Sequence, residues 1–110
     1  IMFCAFEGQP LILRLYGRAK VLHKGDSEWQ EFLGLFPPLP GARQIFHVTL
    51  DLVQTSCGMA VPYLSYLGDR ELLSAWAEKK GEEGLRRYRE EKNQLSLDGI
   101  PTHIVAKEGH

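Results

Sequence analysis

Three groups of residues in this sequence have side chains suited to binding or catalysis. The first is a row in "LILRLYGRAKVL", residues 11 to 22. Leu11, Leu13, Leu15, Gly17, Ala19 and Val21 fall on one side, and Arg14, Tyr16, Arg18 and Lys20 on the other. This period of two marks a half-buried β-strand. Guanidinium groups pair with phosphate and a tyrosine ring packs on a flat ligand, so the polar row could border an anionic aromatic molecule. It serves equally as the wet face of an antiparallel sheet, and the residues alone favour that simpler reading. The second group is Ser56 and Cys57, followed by Gly58. A reactive thiol needs a nearby base or a positive environment, and the local sequence supplies neither. Cys57 therefore reads as a packed, unreactive strand cysteine. The third group is His23, His47, His103 and His110. These lack the close ligand pairs of a zinc site and read as surface or core histidines, so no metal site is expected.

Other signatures are missing. There is no GxGxxG and no Walker loop, which removes support for a dinucleotide fold or a P-loop. The run "WAEKKGEEGLRRYREEK" balances its signs and reads as a solvated helix face, not a nucleic-acid surface. The chain has 110 residues and a net charge of −1, so it makes one domain at most and has no bulk attraction to nucleic acid or anionic membrane. Its hydrophobic and charged fractions, 44% and 25%, are those of a globular chain. No apolar run is long enough to span a bilayer, and no signal-peptide pattern opens the chain. Cys4 and Cys57 lack paired spacing, which points to two reduced thiols and a cytoplasmic setting. The chain opens at "IMFCAF", already strand-like, and is expected to be the C-terminal part of a longer domain.

Pattern places these residues on a small set of elements. Ile1 to Phe6 reads as a buried strand, and "EGQP" turns it into a hairpin with the 11–22 strand. On that strand Leu13 and Leu15 should point inward, and Arg14, Tyr16 and Arg18 outward. Ser27 with Gln30 matches a capping box for a short helix carrying Trp29, Phe32, Leu33 and Phe36. "PPLPG" cannot continue that helix. Gln44 to Gln54 is a second clear strand, with Phe46, Val48, Leu50 and Leu52 opposite His47, Thr49 and Asp51. Gly58 is a candidate bulge, and Pro62 ends the ladder. Asp69 should cap a helix bearing Leu72, Leu73 and Trp76, which Gly81 or Gly84 interrupts. Leu85 and Tyr88 come next, with Glu82–Arg86 and Glu83–Arg87 at i,i+4. "SLDGIPT" is a loop. Sequential antiparallel strands and added helices make an α+β domain.

Five stretches carry a resemblance to a known family: "IMFCAF" with "LRLYGRAKVL" after a turn, "FPPLPGARQIF", "VQTSCGMAVP", and "WAEKKGEEGLRRYREEKNQLSLDGIPT". Together they resemble the pyridoxamine 5′-phosphate oxidase-like proteins, the FMN-binding split barrels, up to about Thr102. The Arg14, Gly17, Ala19 pattern is short, and the long C-terminal agreement is the more specific part. The resemblance implies an antiparallel split β-barrel without its N-terminal strands, with C-terminal helices, spanning 1–102 and followed by a tail, 103–110. It implies an FMN-dependent oxidoreductase acting on a small molecule, as a homodimer with the flavin between subunits and with no nucleic acid or membrane partner. A mid-strand glycine that lets the barrel bend would account for Gly17. The flavin-facing residues within this chain would be Arg14, Tyr16, Ser56, Cys57 and Gly58, with most phosphate donors on strands before Ile1. Ile12 stands where the vitamin B6 oxidase has glutamine, and a C-terminal tryptophan–arginine substrate motif is missing. Oxidation of pyridoxamine phosphate itself is therefore not expected. The alternative on the same fold is a non-catalytic dimeric module that binds deazaflavin, haem or another ligand.

Overall fold

The computed structural model describes residues 1–105, so His110 lies outside the described residues. The elements are β1 (Met2–Cys4), β2 (Ile12–His23), α1 (Trp29–Leu33), β3 (Gln44–Ser56) and α2 (Leu72–Lys92). The strands form one antiparallel sheet in the order β1-β2-β3. Three strands leave two free edges, so the described residues make an open sheet and not a closed barrel. Among them no helix is long and apolar enough to cross a membrane. The chain divides into two compact units, one of Ile1–Lys20 with His47–Asp69, the other of Val21–Phe46 with the chain from Arg70 onward.

In the first unit the expected hairpin is present, with Met2 opposite Arg14, Phe3 opposite Leu13 and Cys4 opposite Ile12. The Ala5 amide donates to the Leu11 carbonyl at 2.9 Å, closing the turn side. β1 is not buried as its composition suggests. It is shorter than Ile1 to Phe6, and Met2 and Phe3 stay exposed. The inward–outward contrast on β2 is also weaker than its pattern. Leu13, Arg14 and Leu15 are all half-buried, and the strand is exposed only from Tyr16 to Lys20. The physical reason is that alternation fixes which way side chains point, whereas burial needs a second layer over one face. Within this unit no helix supplies that layer, and Leu50, Leu52 and Val53 of β3 are exposed as well.

Gly17 has a sharper reason than bending. A Cβ there would lie 2.0 Å from the Thr49 carbonyl oxygen and 2.8 Å from its carbon. The β3 backbone occupies the space that any side chain at position 17 would need. After β3, Gly58 adopts φ +62 and accepts a hydrogen bond from the Val61 amide at 3.0 Å. Gly58 thus forms a turn beyond the strand and not a bulge within it. Asp69 is not a helix cap: it accepts the Tyr66 hydroxyl proton at 2.6 Å, a bond that raises the phenol above its usual range.

The second unit holds the apolar core. Leu22, Trp29 and Ile45 are buried together, with Phe32 and Leu33 packed against them. The capping box of Ser27 and Gln30 does not form, and the N-cap of α1, Glu28, makes no side-chain cap bond. Asp26 organises this turn instead. Its Oδ2 accepts the His23 amide at 2.8 Å, and its carbonyl accepts the Trp29 amide at 3.0 Å. Phe36 lies beyond the helix and is exposed. Helix α2 breaks at Gly81, with φ 65 and ψ 173, as a glycine inside a helical run allows. Trp76 before the break meets Tyr88 after it, edge to face at 5.1 Å. On the wet face Glu83 accepts bonds from Arg86 and Arg87, while Arg86 also reaches Glu90, so the expected Glu82–Arg86 pair is replaced. Past the loop after α2, Ile104 is buried.

Replacing Gly17 with alanine should destabilise the protein by about 3 kcal/mol, the upper part of the usual range for forcing atoms into filled space. Gly34 is the control, because its added Cβ meets nothing nearer than 3.4 Å. Urea denaturation of Gly17→Ala and Gly34→Ala would refute the close-approach account if both melted like the parent. The Glu83 carboxyl is held below its ordinary value of 4.5, first by Arg86 and then by Arg87. A lowered folded-state value adds stability above pH 4.5 that disappears as pH falls through the folded value. Helix content should therefore decline more in acid for the parent than for Glu83→Gln, a difference circular dichroism can follow.

Candidate functional site

The first unit brings two of the expected site residues into direct contact. Arg14 of β2 donates from Nη1 to the Ser56 hydroxyl at the end of β3, 42 residues along the chain, at 2.6 Å. Two close backbone approaches set this geometry. Gly17 lets β3 run against β2, and Gly58 anchors the chain just past Ser56. A Cβ on Gly58 would lie 2.9 Å from the Leu11 amide nitrogen, so the buried Gly58 sits directly on the residue that leads into β2.

The pair has the chemistry of an anion receptor. Arg14 is half-buried, and among the described residues no carboxylate pairs with it. Ser56 fixes one end of the guanidinium, and the remaining N–H donors form a rigid planar fork suited to phosphate or carboxylate. Tyr16 lies on the same face of β2 two residues on and is exposed. Cys57 does not pack as a strand cysteine. It lies just after the last strand residue and is exposed, because the chain is already turning toward Gly58. Cys4 is half-buried, and neither thiol is in a disulfide.

The histidines are dispersed. His23 is buried, with its Nε2 3.2 Å from the Gln44 amide nitrogen, whereas His103 is exposed at φ 57. Among the described residues no cluster of His, Cys, Asp or Glu could hold a metal.

The second unit contains a feature that spacing does not suggest. A cavity of about 420 Å³ lies beside Trp76, Leu85 and Tyr88, with Arg43, Arg89 and Asn93 among its lining residues. Arg43 and Asn93 are 50 residues apart and bonded through Nη1 and Oδ1 at 2.9 Å. Only the combined basic and aromatic character of α2 hints at it.

A curated protein is similar to most of this chain. This chain is 31% identical, over 118 aligned residues, to the "Pyridoxamine 5′-phosphate oxidase family protein ustO" of Aspergillus flavus. The chain is a distant homologue of a pyridoxamine 5′-phosphate oxidase family protein. The alignment covers 92% of this chain and 47% of that relative, so the chain spans about half the relative's length. No protein-family model matches, and no solved structure matches. An antiparallel sheet with a C-terminal helix is thus the architecture over which the homology to the pyridoxamine 5′-phosphate oxidase family protein runs.

An exposed Cys57 should react with a thiol reagent in the native state, faster than Cys4. Labelling with subsequent mass mapping checks this. If Cys57 were labelled only after denaturation, the exposed position would be refuted.

Proposed function

We propose that the intact protein is an FMN-dependent oxidoreductase of split-barrel type, acting on a small molecule as a homodimer. The observation that carries this reading is the Arg14–Ser56 pair, set on a sheet within the stretch homologous to a pyridoxamine 5′-phosphate oxidase family protein. The residues fit the group. A half-buried guanidinium with uncommitted donors suits an anionic or carbonyl-rich ligand, and an exposed tyrosine beside it suits a flat ring. When bound, FMN would supply the chemistry of taking up and passing on an electron pair.

On this reading each of these residues has a role. Arg14 would bind a negative or polar edge of the flavin, and Ser56 would hold Arg14 in place. Tyr16 would pack on the ring system. Gly58 would keep the backbone close, and Cys57 would lie at the edge of the same surface. Self-association is supported by the apolar side chains that the first unit leaves exposed, including Phe3, Leu50, Leu52 and Val53.

The test uses the intact protein and tracks quenching of flavin fluorescence on titration with FMN. The parent should bind with one flavin per subunit. Arg14→Gln should weaken binding roughly ten-fold or more, in keeping with the loss of a charged hydrogen bond, and Ser56→Ala should weaken it less. Unchanged affinity in Arg14→Gln would overturn the assignment of this site. A colourless protein that takes up no FMN would overturn the oxidoreductase reading in favour of a ligand-binding module on the same fold.

A further inference from the structure

We propose that the Arg14–Ser56 site continues onto β1, where Met2 forms an apolar ledge for the flat ring of the ligand. The site then holds the ring end of a flavin and not its phosphate. This rests on the flavin reading above and deepens it.

The register of the hairpin carries the inference. Met2 stands directly opposite Arg14, and Cys4 directly opposite Ile12. Residues so paired put their side chains on one face of the sheet. Ile1 and Leu15 exchange both backbone bonds, each at 2.8 Å, so the next pair, Met2 and Arg14, is a non-hydrogen-bonded one. The backbones come closest at such pairs, about 4.5 Å between Cα atoms, and the side chains lie nearer each other. Arg14 is thus flanked on both sides. Ser56 bonds it from β3 at 2.6 Å, and Met2 borders its stem from β1. Tyr16 is the next residue of β2 on that face and lies diagonal to Met2, where both can reach one ring. Cys4 and Ile12, both half-buried, continue the apolar strip on the other side.

Chemistry decides which end of a flavin fits. The strip presents a thioether, a thiol and a branched alkyl group beside one guanidinium. A polarizable thioether makes favourable contacts with an aromatic ring. A doubly charged phosphate set against the same side chains would lose hydration on the β1 side and gain no donor there. A ring whose carbonyl edge meets Arg14 places its polar atoms on the fork and its flat face on Met2 and Tyr16. Met2 is 60% exposed and so open to that contact. Phe3, 56% exposed, is a control within the same strand, because it pairs with Leu13 on the opposite face.

Titration of the intact protein with FMN tests the ledge through two readouts. Quenching of flavin fluorescence gives the affinity, and the visible absorption band of the bound flavin reports the surroundings of its ring. Met2→Glu sets a carboxylate beside Arg14 that competes for the fork, and should weaken FMN binding about ten-fold or more. At saturation its flavin band should be shifted from that of the parent. Phe3→Glu places the same carboxylate one residue away on the other face, and should match the parent in both readouts. Circular dichroism checks the fold of each variant. Parent-like affinity in Met2→Glu, or equal losses in Met2→Glu and Phe3→Glu, would overturn the ledge while leaving the flavin reading in place. Weakened binding with a parent-like band would overturn the placement of the ring end. A parent that takes up no FMN would overturn the flavin reading itself, and the ledge with it.

Discussion

At Gly17 the backbone of β3 stands so near β2 that a methyl group would lie 2.0 Å from the Thr49 carbonyl oxygen. Real carbon and oxygen atoms do not approach that closely, so the local pairing of the two strands requires the absence of a side chain at this one position. The remainder of β3 depends on it. The strand continues from Thr49 to Ser56, and its last residue arrives at Arg14 only because the two backbones ran close at Gly17. Gly58 completes the arrangement from the other end. Its positive φ and its packing on Leu11 fix where the chain goes after Ser56. Two glycines without side chains thus position a serine and an arginine that have them.

The two units are held together internally by different physics. In the second, Leu22, Trp29 and Ile45 leave water almost completely, and burial of side chains this large is the main stabilising term. In the first, the ladder of β1 and β2 and the glycine contacts dominate, while many large apolar side chains stay exposed. Hydrogen bonds exchanged with water contribute little each, about 1 kcal/mol. A sheet with both faces accessible therefore gains specificity of register from its backbone without gaining much stability from burial. Its exposed apolar side chains are consistent with a surface that meets something else.

Much of this is legible in the residues, and the failures have identifiable causes. The strand of residues 11–22 and the break at Gly81 come directly from pattern, because period and glycine content are local properties. Arg14 and Ser56 are legible as types, but their contact requires β3 to return alongside β2. The capping box fails because Asp26, nearer the end of β2, satisfies the turn with its own side chain. Glu82 loses Arg86 because Glu83 and Glu90 also lie within one helical turn of it, and i,i+3 and i,i+4 partners compete on similar terms. Cys57 departs from its pattern for a different reason: one residue beyond a strand, the inside–outside alternation no longer applies. The cavity of Arg43, Arg89 and Asn93 leaves no local signal, since the bond that orders it joins residues 50 apart.

The two arginine sites show how one side chain serves two settings. Arg14 is only half-buried, so its charge keeps part of its hydration, and the cost of desolvation is moderate. Ser56 adds order. A guanidinium already fixed by a 2.6 Å bond has lost rotamer freedom before a ligand arrives, and an incoming anion need not supply that entropy. Lysine could not replace it, because a rotating ammonium has no fork to hold in one plane. Arg89 is the opposite case, with nearly all its surface removed from water, so its charge has to be met by contacts within the protein. The first arrangement favours geometric recognition of a large polar ligand at a surface. The second ties the arginine into the fold, where contacts within the protein must offset the hydration that burial removes.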